Sequence, residues 1–171
     1  MCQAALIRKK VMMMALYKAQ VQNASGGWID CDVSSASQLS PHVSFEEISN
    51  PSCQEDLKLK LPLEARIHNA AWEVVRNLYG KPIPIGCGYR SPSFNKSCGG
   101  SVDSLHLKCC AYDCELGSIS DALWTQFYWW CMAAALKYDT QCELGRYKWG
   151  LHIGFSKLSY TTKTVYTYDK R

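Results

Sequence analysis

The residues best suited to chemistry lie in two stretches of the chain. The first, SVDSLHLKCCAYD, contains Ser104, His106 and Asp113, and the second, WGLHIGF, contains His152. Two histidines and one carboxylate would form a three-ligand zinc site that leaves a fourth position for water. Water bound in this way ionises near neutral pH and becomes a nucleophile, so these residues point to a hydrolytic metal site.

The spacing of these residues favours a loop and strands over a helix. His106 and Asp113 are seven positions apart, which does not fit the helical HExxH arrangement. We expect a loop that carries His106 and leads into a strand that carries Asp113. The segment around His152 alternates as a strand does. Neighbouring strands, about 4.8 Å apart, can direct side chains of one face at a common ion.

An ordered set of motifs carries a family resemblance. GYRSPSFN, GGS, Ser-x-His, Ala-x-Asp and WGLHI follow one another as in the zinc D-Ala-D-Ala carboxypeptidases, over roughly residues 42 to 156. That superfamily includes the vancomycin-resistance dipeptidases and phage peptidoglycan endopeptidases, and it shares its fold with the hedgehog signalling domains. The resemblance implies a Zn²⁺ cofactor held by His106, Asp113 and His152. It also implies that Arg90 binds the substrate or a developing oxyanion and that Ser104 contacts the substrate.

The general base is less clearly indicated than the ligands. Many relatives place a glutamate three residues before the last histidine ligand, where this chain has Trp149. Glu143 is the favoured replacement because it ends the preceding candidate strand and, with Asp139, matches an Asp-x-x-x-Glu stretch of phage relatives. A surface carboxylate at a strand edge is the alternative role for Glu143. Asp103 is a second candidate base.

The chain departs from the family pattern next to the candidate ligands. The family usually has glycine where Cys109 stands, and glycine permits a positive φ that cysteine tolerates poorly. Relatives also tend to carry a small residue where Tyr112 stands. Cys87 and Cys98 replace small or apolar residues and are interpreted as core substitutes.

Ten cysteines are many for this length, and three interpretations compete. A disulfide framework would require an oxidising compartment. A cysteine-rich zinc site would need CxxC pairs, which the chain lacks. Small buried hydrophobes are the favoured interpretation. A thiolate from Cys109, Cys110 or Cys114 could compete for the metal, and a Cys–His nucleophile formed with His106 is a further alternative.

Composition indicates an ordinary globular chain. With 171 residues, 47% hydrophobic and 20% charged, a single domain over residues 31–171 after an extension over 1–30 is expected. A net charge of +4 without a basic stripe does not favour nucleic acid. No apolar run approaches the roughly 20 residues of a membrane span. The run Val11 to Leu16 after Arg8 is short for a signal peptide. We expect a monomer.

The periodic segments predict an α+β domain with helices packed on one face of a small antiparallel sheet. Ser44 and Glu47 form a capping box. One helix is predicted over 61–79, ended by Gly80, with His68 solvated, and a second over 118–137, begun by Ser118 with Asp121. Strands are predicted over 139–144, 150–155 and 158–168. The buried stripe predicted for the first helix consists of Leu63, Ile67, Ala70, Ala71, Val74 and Leu78.

The resemblance implies a zinc metallopeptidase that hydrolyses bonds involving D-amino acids in the peptidoglycan stem peptide, as phage endolysins do. The alternative is a zinc-binding or cell-wall-binding module of the same fold that lacks catalysis. Such an enzyme would act at the bacterial cell wall or periplasm. It would be made in a host cytoplasm without a clear signal peptide and would depend on another route through the inner membrane.

Overall fold

Helices and strands alternate along the chain. The structure, a computed structural model, describes residues 16–34, 38–49, 59–157 and 164–171. The α-helices within these ranges are α1 (Phe45–Ile48), α2 (Leu63–Tyr79), α3 (Pro92–Ser97) and α4 (Asp121–Lys137), and a 3₁₀ helix spans Leu105–Lys108. The strands are β1 (Leu16–Gln22), β2 (Trp28–Ser34), β3 (Gln38–Ser40), β4 (Val43–Ser44), β5 (Leu59–Leu61), β6 (Ile85–Cys87), β7 (Ala111–Cys114), β8 (Gln141–Tyr147), β9 (Gly150–Ser156) and β10 (Val165–Lys170).

A five-stranded sheet with the order β10-β8-β9-β7-β6 forms the centre of the molecule. The predicted α+β class is confirmed, with one difference in the sheet. All neighbouring strands are antiparallel except β10, which pairs with β8 in parallel. The predicted last strand is present as β10 over Val165–Lys170, and the part of that prediction over 158–163 lies outside the described ranges. One row of paired positions crosses all five strands: Tyr168, Gly145, His152, Asp113 and Cys87.

The two faces of this sheet have different surroundings. Because successive side chains of a strand point to opposite faces, Tyr112 lies on the face opposite Asp113. Trp72 of α2 contacts the Tyr112 ring edge-on, with centroids 5.6 Å apart. The helices α2 and α4 pack on each other and on this face, against the buried Leu144 and Ile153. The prediction of helices on one face is therefore confirmed, and the opposite face carries His152 and Asp113.

The predicted buried stripe of α2 is wrong at most of its six positions: only Ala71 is buried, and Val74 is partly buried against the core. Leu78 is 50% exposed, and the face that enters the core is a different one. His68, predicted to be solvated, is fully buried, and its Nδ1 accepts the Phe155 N–H at 3.3 Å. Asn69 accepts the Tyr112 hydroxyl at 2.6 Å. Hydrophobic periodicity misplaced the face because these polar residues are buried with partners. The buried residues are Ala65, His68, Asn69, Ala71, Trp72, Glu73 and Val75.

The helix ends follow local rules with one exception. Gly80 ends α2 in the left-handed conformation with φ 73°, as predicted. The capping box of Ser44 and Glu47 is present at α1. The start of α4 was predicted at Ser118, but Ser120 caps it by accepting the Leu123 N–H. The spacing of Leu123, Phe127, Trp130, Cys131 and Ala134 predicts the core face of α4. Phe127, Cys131 and Ala134 are buried, and Leu123 and Trp130 are partly buried against the core.

The N-terminal part differs most from expectation. The sequence of residues 1–22 allows a short amphipathic helix, but residues 16–22 form β1, and residues 1–15 lie outside the described ranges. The Ser-, Gly- and Asn-rich composition of 23–43 predicts a linker or loop, but this segment contains β2 and β3. With β5, β1 and β2 form a three-stranded sheet in the order β2-β1-β5. The division at residue 30 stays a prediction. In the described ranges, none of the helices combines the length and apolarity that crossing a bilayer requires.

Candidate metal centre

Three elements carry the predicted ligands to one place. Asp113 of β7 and His152 of β9 are paired across neighbouring strands. His106 lies in the 3₁₀ helix that precedes β7. This helix ends at Cys109, which has the left-handed conformation with φ 53° and ψ 33°. The expectation that the position of Cys109 requires a glycine-like backbone is confirmed, and the chain adopts that conformation at a cost of about 1–3 kcal/mol.

The three candidate ligand atoms form a nearly equilateral triangle. His106 Nε2 and His152 Nδ1 lie 3.2 Å apart, and they lie 3.2 Å and 3.0 Å from Asp113 Oδ1. Ligand atoms about 2.0–2.2 Å from a tetrahedral zinc are roughly 3.3–3.6 Å from one another. The spacing therefore matches a zinc site within a few tenths of an ångström. All three residues are buried, as expected for a metal site enclosed by protein.

The hydrogen bonds around His106 support a cation between these atoms. His106 Nδ1 lies 2.7 Å from the carbonyl oxygen of Gly88, which can only accept, so Nδ1 carries the proton. In a neutral ring Nε2 then presents a lone pair to the Asp113 carboxylate, which is a repulsive contact. A divalent cation converts this contact into coordination, and the Gly88 carbonyl fixes the tautomer that coordination needs. The residues present thus fit a zinc ion.

The electrostatic environment keeps His106 and Asp113 in the forms that bind metal. Burial lowers the pKa of His106, and the neighbouring Asp113 only partly opposes this. Burial alone would raise the pKa of Asp113, but the adjacent imidazoles of His106 and His152 outweigh burial and lower that pKa strongly. A neutral imidazole and an ionised carboxylate are the metal-binding states.

Arg90 has a different partner from the one expected. It was predicted to bind the substrate or an oxyanion, or to form a surface ion pair. Its Nη2 donates to Asp113 Oδ2, the carboxylate oxygen turned away from the histidines, and Nε donates to Cys87 Sγ at 3.4 Å. Burial would lower the pKa of Arg90, but Asp113 outweighs this and raises it, so Arg90 stays charged. Arg90 therefore orients a candidate ligand, and a contact with substrate stays a prediction.

Cys87 offers an alternative ligand that sequence reasoning assigned to the core. Its sulfur, a His106 nitrogen and an Asp113 oxygen all lie within 4.8 Å of one another. The separations among His106, His152 and Asp113 are shorter, and they match zinc more closely. The pairing of Cys87 with Asp113 across β6 and β7 brings the thiol here, and no local sequence signal marks it.

The cysteines that were considered as metal competitors lie in the core. Cys109, Cys110 and Cys114 are buried, and burial raises the pKa of each thiol, to about 12 for Cys110. They are therefore neutral, which disfavours both the competing thiolate and the Cys–His nucleophile. The disulfide interpretation finds no support in the described cysteine side chains, none of which forms a disulfide: Cys87, Cys98, Cys109, Cys110, Cys114, Cys131 and Cys142.

The remaining predicted residues lie around the three ligands. Glu143 of β8 lies on the site face, with its Oε2 3.9 Å from His152 Nε2 and a side chain 26% exposed. Trp149, at the position of the family glutamate, lies in the turn between β8 and β9 and stacks on Tyr147. Ser104 is half-buried just before the 3₁₀ helix and makes no capping hydrogen bond to it. Asp103 is exposed on the preceding turn.

A family model with the description Peptidase M15 matches residues 46–148, more than half of the chain. The chain belongs to the peptidase M15 family. No curated protein and no solved structure matches the chain. The predicted resemblance to the zinc D-Ala-D-Ala carboxypeptidase type is confirmed, since this is the type of the M15 family. The match includes His106, Asp113 and Glu143, whereas His152 follows its end by four residues.

Membership in the peptidase M15 family supports a zinc-dependent metallopeptidase, a hydrolase. The roles of the individual residues stay predictions, although the geometry is the one that those roles need. Sequence reasoning missed the Gly88 carbonyl, Cys87 and Tyr168 of β10. A glycine inside a strand, as at Gly145, can signal a close approach, and Tyr168 occupies that space.

A cavity of about 680 Å³ lies along α2, away from the candidate ligands. The polar residues that line it include Asn69, bound to Tyr112, and Glu73, whose Oε2 lies 2.7 Å from His42 Nδ1. These contacts join α2 to its neighbours. None of the six residues predicted for the site lines this cavity, so the cavity is separate from the candidate metal centre.

Proposed function

We propose that the protein is a zinc metallopeptidase that hydrolyses peptide bonds involving D-amino acids in peptidoglycan, as a cell-wall hydrolase of the phage endolysin kind. The observation that carries the proposal is the triangle of His106 Nε2, His152 Nδ1 and Asp113 Oδ1, with edges of 3.0–3.2 Å. Three protein ligands leave a fourth position for water or a substrate oxygen. The M15 membership supports a substrate of the peptidoglycan type, and the site of action that we propose is the bacterial cell wall.

The roles of the chain's own residues follow from their positions. Bound zinc would supply Lewis-acid polarisation of the scissile carbonyl and a lowered pKa for water. Glu143 would accept a proton from the attacking water and return it to the leaving amine. The Glu143 carboxylate lies 3.9 Å from His152 Nε2, which is beyond hydrogen-bond distance. The His152 ring therefore does not bind the Glu143 carboxylate, which is left to interact with a substrate. Arg90 holds Asp113, and its remaining N–H groups could meet a substrate carboxylate or oxyanion.

The test combines metal analysis with mass spectrometry of purified peptidoglycan incubated with the zinc-loaded protein. New amino groups and mass-defined peptide fragments would support the proposal and identify the cleaved bond. Glu143→Gln should retain zinc and lose hydrolysis by a factor of about 10² or more. The matched control is Glu115→Gln, because Glu115 is an exposed carboxylate that follows β7.

The experiment also separates the alternative of a binding module. A wild-type protein that holds one zinc and sediments with peptidoglycan but releases no amino groups would refute hydrolysis. Such a result would identify a zinc-binding or cell-wall-binding module. A protein that binds neither zinc nor peptidoglycan would refute both functions.

A further inference from the structure

Strand β10 brings a tyrosine to the candidate metal centre from outside the segment that the family model matches. The match ends at residue 148, and β10 spans Val165–Lys170. Because β10 pairs with β8 in parallel, Tyr166 lies beside Glu143 and Tyr168 beside Gly145. Gly145 in turn pairs with His152. Tyr168 therefore belongs to the cross-sheet row that contains two of the candidate ligands.

Gly145 allows the Tyr168 ring to lie over the sheet next to this centre. A Cβ atom at position 145 would lie 2.6 Å from the Tyr168 hydroxyl oxygen, closer than real Cβ atoms come to other atoms. The Tyr168 and His152 ring centroids are 6.4 Å apart, with planes inclined by 36°. Any side chain at position 145 would push the Tyr168 ring away from His152. The position of the Tyr168 ring therefore depends on the absence of a side chain at Gly145.

The hydroxyl of Tyr168 is directed by its neighbours. The Tyr147 hydroxyl donates to the Tyr168 oxygen at 3.4 Å, so the proton of Tyr168 is left to donate elsewhere. Glu143 lies two residues before Gly145 on the same face of β8, which puts the Glu143 side chain next to the Tyr168 ring. Burial, with the effects of Tyr147 and Glu143, raises the pKa of Tyr168, and the hydroxyl stays a neutral donor at every pH at which the protein would work.

For Glu143 to act as a base from a fixed position, its side chain needs a hydrogen-bond donor such as the Tyr168 hydroxyl. The Glu143 side chain is 26% exposed and lies beyond hydrogen-bond distance of His152 Nε2. Ordering a free glutamate side chain costs up to about 1.5–2 kcal/mol of rotamer entropy. A half-buried phenol donor on the adjacent strand restricts those rotamers before substrate binds.

We propose that Tyr168 is a positioning residue that holds the Glu143 carboxylate at the His152 edge of the candidate metal centre. This inference rests on the proposed function for its catalytic consequence, although the contact itself is a property of the folded chain. It assigns to β10 a role in the site rather than only in closing the sheet edge.

The substitution Tyr168→Phe tests the proposal because it keeps the ring over Gly145 and removes the hydroxyl. We expect kcat on peptidoglycan fragments to fall about 10- to 100-fold, with KM changed less than about threefold. Zinc affinity and the thermal midpoint should stay those of the wild type. Thr167→Val is the matched control, since Thr167 is an exposed residue on the other face of the same strand, and the loss of its hydroxyl should leave kcat unchanged. An unchanged kcat in Tyr168→Phe, or an equal loss in Thr167→Val, would overturn the proposal.

A crystal structure separates failure of this inference from failure of the proposed function. If the wild type hydrolyses no peptidoglycan bond, the function is refuted, and zinc-loaded wild-type and Tyr168→Phe crystals then decide the contact. A Glu143 carboxylate that moves or disorders only in the variant supports the proposal, and one that stays in place refutes it. Gly145→Ala should lower the thermal midpoint in the wild type but much less in a Tyr168→Ala background. Equal losses of thermal midpoint in the two backgrounds would show that the Tyr168 ring does not pack over Gly145.

Discussion

Arg90 donates from Nη2 to Oδ2 of Asp113, the carboxylate oxygen that points away from His106 and His152. The other oxygen, Oδ1, lies 3.2 Å from His106 Nε2 and 3.0 Å from His152 Nδ1. One carboxylate is therefore shared between a fixed cation of the protein and the position that suits a metal. This relationship makes Arg90 a determinant of ligand geometry in addition to any contact with substrate.

Arg90→Gln should weaken zinc binding because Asp113 loses the charge that orients its carboxylate. Loss of such a supporting partner raises the metal dissociation constant about 10- to 100-fold. Competition with a chromogenic chelator measures this constant directly. Arg66→Gln is the control, since Arg66 is an exposed residue of α2, and its affinity should equal that of the wild type. An Arg90→Gln protein that binds zinc as tightly as the control would show that Arg90 serves the substrate instead.

Cobalt substitution distinguishes the two possible ligand sets. If His106, Asp113 and His152 bind the metal, the cobalt protein should lack sulfur-to-cobalt charge-transfer absorption in the near ultraviolet. Cys87→Ser should then leave the visible spectrum and the metal affinity unchanged. A sulfur band that disappears in Cys87→Ser would instead place Cys87 in the coordination shell, as its position within 4.8 Å of the other atoms allows. Cys98→Ser, at an exposed cysteine, is the control.

Gly88→Ala should damage both stability and metal binding. A Cβ at position 88 would lie 2.7 Å from the Cα of Ile48, so backbone must shift to admit it. The Gly88 carbonyl accepts from His106 Nδ1, and this shift would turn the imidazole. We expect a loss of about 1–3 kcal/mol in the free energy of unfolding, measured in urea, and a zinc affinity about tenfold lower.

The control for this substitution is Gly86→Ala, where the added Cβ meets the flexible end of the Glu115 side chain rather than backbone. Its effect on zinc binding should be small. Equal losses at Gly88 and Gly86 would mean that the approach of α1 to residue 88 does not position His106.

The buried His68 predicts a loss of stability in acid. Burial, aided by His106 and His152, lowers the pKa of His68 from 6.5 to about 3. Between these values the unfolded chain binds a proton that the folded chain does not. The free energy of unfolding should therefore fall as pH falls from 6.5 towards 3, by up to about 1.4 kcal/mol per pH unit from this residue. Above pH 6.5 the residue contributes no slope.

Urea unfolding of the metal-free protein at several pH values checks this prediction. His68→Gln cannot take up the proton, so its stability should vary less with pH over this window. The difference between the two slopes isolates His68, because His106 and His152 are present in both proteins. Parallel slopes would mean that the imidazole of His68 is accessible to protons in the folded state.

Local sequence signals predicted the elements whose causes are local. Gly80 ends α2 because glycine accepts a positive φ, and Ser44 with Glu47 begins α1 because their side chains satisfy backbone groups within one turn. The left-handed conformation at Cys109 could be expected because the family has glycine there. Periodicity failed for the buried face of α2, since the burial of His68 and Asn69 depends on Phe155 and Tyr112, which lie on distant strands.

The sequence by itself determined the family, the residue types of the metal centre and the order in which they occur, because motifs are linear. Tertiary structure alone decided how those residues meet. The register of β6, β7, β9, β8 and β10 sets which side chains share a row, and a shift of one residue would turn each of them to the other face. Pairing between strands far apart in the chain therefore brought Arg90 to Asp113 and Tyr168 to Gly145, and no local pattern encodes either contact.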